Sequence, residues 1–116
     1  MHELSISRAL LDQLAGLVRQ HNATGVSAIT LCIGPLSGIE PALLRAAYMQ
    51  SRKQTVAEHA DLIILPAAVR VLCQECAAVS EATPARLTCA ACACSRTRLL
   101  SGDEMLLESV DLEFGA

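Results

Sequence analysis

Aromatic residues are nearly absent. Of 116 residues one is Tyr, one is Phe and none is Trp, so the core must be aliphatic and the chain lacks the stacking platforms of single-strand nucleic-acid binders. A basic excess is also missing. Nine Lys and Arg stand against twelve Asp and Glu, for a net charge of -3, and nucleic-acid binding is not expected without a basic patch. No apolar run approaches the roughly 18 residues of a membrane span. The opening MHELSIS holds no apolar signal segment, so the expectation is a reducing, cytoplasmic setting in which disulfides are rare. No Ser-His-Asp or Cys-His constellation occurs, nor a glycine loop that cradles phosphate, so no enzyme is expected. What remains is 53% hydrophobic residues, enough for one domain with a real core.

Against this background the cysteines stand out. Cys73-Gln74-Glu75-Cys76 is followed, after twelve residues, by Cys89-Ala90-Ala91-Cys92. A C-x-x-C turn aims two sulfurs at one point, and two such turns facing each other supply the four thiolates that zinc favours. Four thiolates and one divalent ion carry a charge of minus two, which Arg70, Arg86, Arg96 and Arg98 are placed to offset. Two disulfides would use the same residues but do not suit a reducing compartment, and two matched pairs fit a redox dithiol poorly. Cys94 gives the downstream pair a third candidate. The spacing of the first pair favours Cys89 and Cys92, with Cys94 a spare thiol or substitute ligand. Cys32, far upstream in an apolar run, reads as a small core residue.

Apolar residues Ile6, Leu10, Leu14, Leu17 and Val18 recur at helical steps and predict a helix over 4–20, with Ser5 or Ser7 as its cap and His21, Asn22 and Gly25 as its stop. Residues 26–33 alternate as a strand. Gly34-Pro35-Leu36-Ser37-Gly38 breaks the chain. A second helix is expected from Glu40 or Pro41, with Leu43, Leu44, Ala47 and Tyr48 on its apolar face. Residues 61–71 read as a second strand interrupted or edged by Pro66, 96–100 as the strand leaving the cysteine knuckle, Ser101-Gly102-Asp103 as a turn, and 106–114 as a last strand with Val110, Leu112 and Phe114 on one face. The economical fold is α+β: a small three-stranded sheet with two helices on one face, plus an inserted zinc-ribbon-like knuckle. Residues 1–70 and 96–116 form the discontinuous main domain and 71–95 the knuckle.

The N-terminus carries a second signal. Met1 offers an amine, His2 an imidazole, and the amides of His2 and Glu3 lie beside them. Nickel(II) and copper(II) favour planar nitrogen sets and displace amide protons when an imidazole anchors the metal. A histidine at position two is by itself usually a solvated terminus. The opening MHELSIS, the loop Gly34-Pro35-Leu36-Ser37-Gly38-Ile39-Glu40-Pro41, the double C-x-x-C and the closing Ser101-Gly102-Asp103-Glu104 together resemble the hydrogenase maturation nickel chaperones, HypA/HybF, across nearly the whole chain.

That resemblance implies a nickel metallochaperone for the large subunit of NiFe-hydrogenase, with a partner GTPase, HypB, and homodimerisation as a further option. It places nickel on His2 and Glu3, with Met1 and Glu40 as additional positions, and structural zinc on Cys73, Cys76, Cys89 and Cys92. One departure is local. The family's second pair usually reads Cys-Pro-x-Cys-Gly, whereas here it is Cys89-Ala90-Ala91-Cys92-Ala93, and losing proline and glycine loosens that turn. The rival readings are a zinc-ribbon interaction module without nickel, and a thiol redox protein.

Overall fold

A computed structural model describes residues 2–115. The elements run α1 (His2–Gln20), β1 (Gly25–Ile33), α2 (Pro41–Ser51), β2 (Asp61–Pro66), β3 (Arg70–Cys73), β4 (Val79–Glu81), β5 (Thr97–Ser101) and β6 (Met105–Glu113). The expected α+β architecture is present: two helices and a three-stranded sheet of order β2-β1-β6. A second three-stranded sheet, β4-β3-β5, carries the cysteine knuckle. The chain divides into two compact units. One comprises residues 1–31, 39–64 and 107–116, the other 32–38 and 65–106.

In the first unit α1 packs on α2. The buried stripe of α1 is Glu3, Ser7, Leu10, Leu11, Leu14 and Val18. A buried Leu or Val is worth about 1.5–3 kcal/mol over an exposed one, so this stripe stabilises the helix far more than propensity does. The cap expected at Ser5 or Ser7 is not used. The helix already begins at His2, and Ser7 lies inside it, fully buried and with its hydroxyl unpartnered. The stop lies earlier than Gly25. Asn22 takes a left-handed φ of 55°, with its N–H on the Arg19 carbonyl (3.3 Å) and the Ala23 N–H on Val18 (3.0 Å). This is a Schellman end with asparagine in the place of glycine.

On α2 only Leu44 and Tyr48 are buried, while Leu43 is 57% exposed, so the apolar face is narrower than expected. Tyr48 is fully buried. Its hydroxyl donates to the Ala60 carbonyl at 2.8 Å and lies 3.3 Å from that of Ala57. Arg52 donates to the same Ala60 oxygen at 3.0 Å, and its guanidinium sits 5.6 Å from the Tyr48 ring centre. The one tyrosine thus fastens the segment between α2 and β2. Burial raises its hydroxyl pKa.

The second unit corrects two readings. The apolar stretch 61–71 is not one strand: it breaks after Pro66, and Arg70–Cys73 starts again as the centre of the second sheet. Proline donates no ladder hydrogen bond, so the sheet ends there. The strand leaving the knuckle, β5, joins this second sheet and not the first, pairing Leu72 with Arg98 and Cys73 with Thr97. Strand β6 begins at Met105, one residue earlier than expected; its burial alternation slips phase at Glu108-Ser109 and leaves Val110 and Leu112 on the more covered side as expected, whereas Phe114, past the end of the strand, is 63% exposed.

The two conspicuous loops meet inside this unit. Gly34 N–H donates to the Glu104 carbonyl (2.8 Å), Leu36 N–H to that of Gly102 (2.7 Å), and Gly102 N–H to the Glu104 carboxylate (2.8 Å). A Cβ on Gly34 would collide with the Gly102 carbonyl. Gly102 itself has φ 118° and would set a Cβ 3.1 Å from the Val69 Cα. Gly34 and Gly102 are there because two backbones touch, whereas Gly38 has open space around it and stands at φ 78°.

Candidate metal centres

The knuckle is built from two near-identical turns. Ala77 N–H returns to the Cys73 carbonyl (3.0 Å) and Ala93 N–H to that of Cys89 (2.9 Å). Cys73 N–H reaches the Ala78 carbonyl and Cys89 N–H the Cys94 carbonyl, both at 2.9 Å. Each turn curls its cysteines inward, and the sulfurs of Cys73, Cys76, Cys89 and Cys92 lie within 4.8 Å of one another. Cys73 Sγ is 3.5 Å from Cys92 Sγ, and Cys76 Sγ is 3.6 Å from Cys89 Sγ. A tetrahedron of Zn–S bonds about 2.3 Å long has edges of about 3.8 Å. The four sulfurs therefore fit a structural zinc site closely.

Support for thiolate charge comes from the backbone. Glu75 and Cys76 N–H groups donate to Cys73 Sγ, each at 3.4 Å, and Ala91 N–H to Cys89 Sγ at 3.3 Å. The N–H groups of Cys76 and Glu75 bring the Cys73 thiol down to about 6, and that of Cys92 lowers Cys89. The other two sulfurs hold the protons. Cys92 is pulled down by the Cys94 N–H, yet its proton is shared with Cys73 and burial adds to this, so it is pushed up to about 12. Cys76, pulled down by the Ala78 N–H, is raised in the same way by Cys89 and Cys73. Of the four arginines named above, Arg96 pairs with the Glu75 carboxylate.

Cys94 does not join the four sulfurs within that radius. It occupies the place of Ala78 in the repeat and serves the cluster through its backbone, while its own sulfur accepts from Arg96 N–H at 3.3 Å. Cys32 lies half-buried in β1.

At the other candidate centre, α1 places His2 at its first turn. The His2 side chain is 58% exposed and that of Glu3 only 11%. Glu3 Oε1 lies 3.7 Å from His2 Nδ1, while Oε2 accepts the Glu40 N–H at 3.3 Å. The Glu3 carboxyl is held below the ordinary range by its own N–H and by that of Glu40. The first N–H groups of a helix have no intrahelical acceptor, so the amides of His2 and Glu3 are not committed to the helix ladder. Glu40 enters by its backbone, and its side chain caps α2 by accepting the Ala42 N–H at 3.5 Å. Met1 lies outside the described residues. The second role of Glu40, as a main-chain donor to Glu3, had no signal in the sequence.

Comparison with known proteins shows the family of the chain. A family model described as "Hydrogenase/urease nickel incorporation, metallochaperone, hypA" matches residues 1–112. The chain belongs to the HypA family. It is 37% identical over 113 residues to the hydrogenase maturation factor HypA of Aquifex aeolicus, covering 97% of this chain and 98% of that one. It is 39% identical over 112 residues to that of Nitrosospira multiformis, covering 97% of each. The HypA fold is also shared with two solution structures. One, the Ni metallochaperone HypA from Helicobacter pylori, has TM-score 0.71 at 22% identity and covers 97% of this chain and 98% of that one. The other, a HypA protein, has TM-score 0.75 at 24% identity and covers 97% and 96%. No helix among the described residues of this HypA-family chain is long and apolar enough to cross a membrane.

Proposed function

We propose that this chain carries Ni(II) to a maturing NiFe-hydrogenase, binding it as cargo at the start of α1 and holding structural zinc at the four cysteines. The observation that carries this reading is the first turn of α1, in a family of nickel-incorporation metallochaperones: an exposed His2 imidazole beside a Glu3 carboxylate, with main-chain amides free of the helix ladder. An imidazole anchor lets nickel displace amide protons, and consecutive nitrogens close the small chelate rings that a planar field prefers. The His2 imidazole and the amides of His2 and Glu3 are the proposed donors, with the Met1 amine as a further one. Glu3 orients the imidazole, and Glu40 fixes Glu3 through its N–H.

The division we propose is functional: residues 1–70 with 96–116 for nickel, and 71–95 for zinc. It follows ligand position and not the compact units. The chain has no catalytic role in this account, so the free energy for insertion comes from a partner GTPase, HypB, and the recipient is the hydrogenase large subunit. The test is nickel titration of untagged protein against protein with an N-terminal extension. An extension converts the Met1 amine to an amide and crowds the metal, so affinity falls. A C-terminal tag without histidine leaves it unchanged. Equal affinity in all three proteins would remove the N-terminus from the site.

A further inference from the structure

The residue after each C-x-x-C stands in the left-handed region. Ala77 and Ala93 both have φ 62°. The conformation is imposed, because it lets Ala77 N–H reach the Cys73 carbonyl and Ala93 N–H reach that of Cys89 while the sulfurs converge. Glycine takes this region without cost, and asparagine takes it with a local hydrogen bond. Alanine has neither advantage. Its Cβ crowds the carbonyl oxygen, and its methyl offers no compensating bond. The four non-glycine residues with positive φ among the described residues are Asn22, Gln54, Ala77 and Ala93, so half of them lie in one zinc turn pair.

We propose that Ala77 and Ala93 set the lability of the knuckle, making it a zinc site that releases its metal more readily than one with glycine at these places. The inference rests on the assignment of zinc to the four sulfurs. When zinc is held, both turns must be closed and both alanines left-handed. When zinc is absent, Ala77 and Ala93 are free to relax to ordinary φ while the N–H groups inside each C-x-x-C stay on their sulfurs. The conformational cost therefore falls on the metal-bound state alone, and it weakens binding without touching a ligand. The two turns repeat the same geometry, so the effect acts twice.

A Cβ disfavours the left-handed region by a factor of roughly five to thirty. The greater freedom of glycine in the relaxed turn takes back part of that, leaving about three- to tenfold per position. The test measures zinc affinity by chelator competition, and zinc release rate, on the full-length chain. The variants are Ala77→Gly, Ala93→Gly, the double variant, Ala77→Asn and Ala78→Gly. Each of the first two should bind zinc about three- to tenfold more tightly and release it more slowly, with the double variant near the product. Ala77→Asn should fall between parent and glycine. Ala78 is not left-handed, so Ala78→Gly should leave zinc affinity unchanged or weaken it. Glycine variants within twofold of the parent, or a gain from Ala78→Gly equal to that from Ala77→Gly, would overturn the proposal. A Cys73→Ser protein distinguishes the two levels. If it keeps a full equivalent of zinc, the ligand assignment fails. If it loses zinc while the glycine series stays flat, only the lability inference fails.

Discussion

Zinc binding to this knuckle should release protons, and the number is set by how the four sulfurs share charge before the metal arrives. Cys73, near 6, is already thiolate at pH 7, and Cys89 is shifted the same way. Cys92, near 12, and Cys76, also raised, hold theirs. Zinc requires four thiolates, so binding at pH 7 displaces the protons of Cys76 and Cys92 and none from Cys73, a count of about two to three. The sign follows: each displaced proton makes affinity rise about tenfold per pH unit, so affinity climbs by about two to three decades per unit from pH 7 to 8 and falls on going from 7 to 6. Below about 6 the slope steepens, because Cys73 then also takes up a proton that zinc must displace. The assay is calorimetry in buffers of different ionisation enthalpy, which counts released protons directly, together with chelator competition across pH 5.5 to 8.5 (about three units). A count near four at pH 7 would mean that the backbone N–H groups on Cys73 and Cys89 do not support thiolate charge. A count near zero would mean that the raised pair is not protonated. Either result would refute the alternation of thiol and thiolate.

Cys94→Ser should keep one equivalent of zinc by metal analysis, because only the backbone of Cys94 serves the cluster. Tyr48→Phe removes the donor to Ala60 from a fully buried position, and should cost about 1–2 kcal/mol in urea unfolding with zinc content unchanged. Gly34→Ala drives a methyl into the Gly102 carbonyl, and should cost about 1–3 kcal/mol and lower the protection of the Leu36 amide against hydrogen exchange.

The elements with strong periodicity were the legible ones. Leu10, Leu14 and Val18 mark α1, and alternation marks β1, because both patterns record which side meets a core. The α+β class and the four-sulfur cluster followed from those elements and from the cysteine spacing. The second sheet was not legible. Its strands are three to five residues long, too short for alternation to speak, and β3 is joined in sequence to the apolar run of β2. The start of α1 was misplaced because serine suggests a cap wherever it occurs, whereas Ser7 is inside the helix. The reason for the paired glycine loops was hidden as well, since a backbone contact between Gly34 and Gly102 leaves no side-chain pattern. At the N-terminus the sequence pointed to His2 and Glu3, but only the fold could bring Glu40 N–H to the Glu3 carboxylate, 37 residues away.

The central claim, that nickel is bound at the head of α1, is tested most directly by nickel titration of untagged His2→Ala protein beside the parent. The His2 side chain is more than half exposed, so zinc content and circular dichroism should match the parent. The account predicts that tight nickel binding is lost in this variant. Unchanged nickel affinity would contradict it and move the metal to His21, His59 or the cysteines.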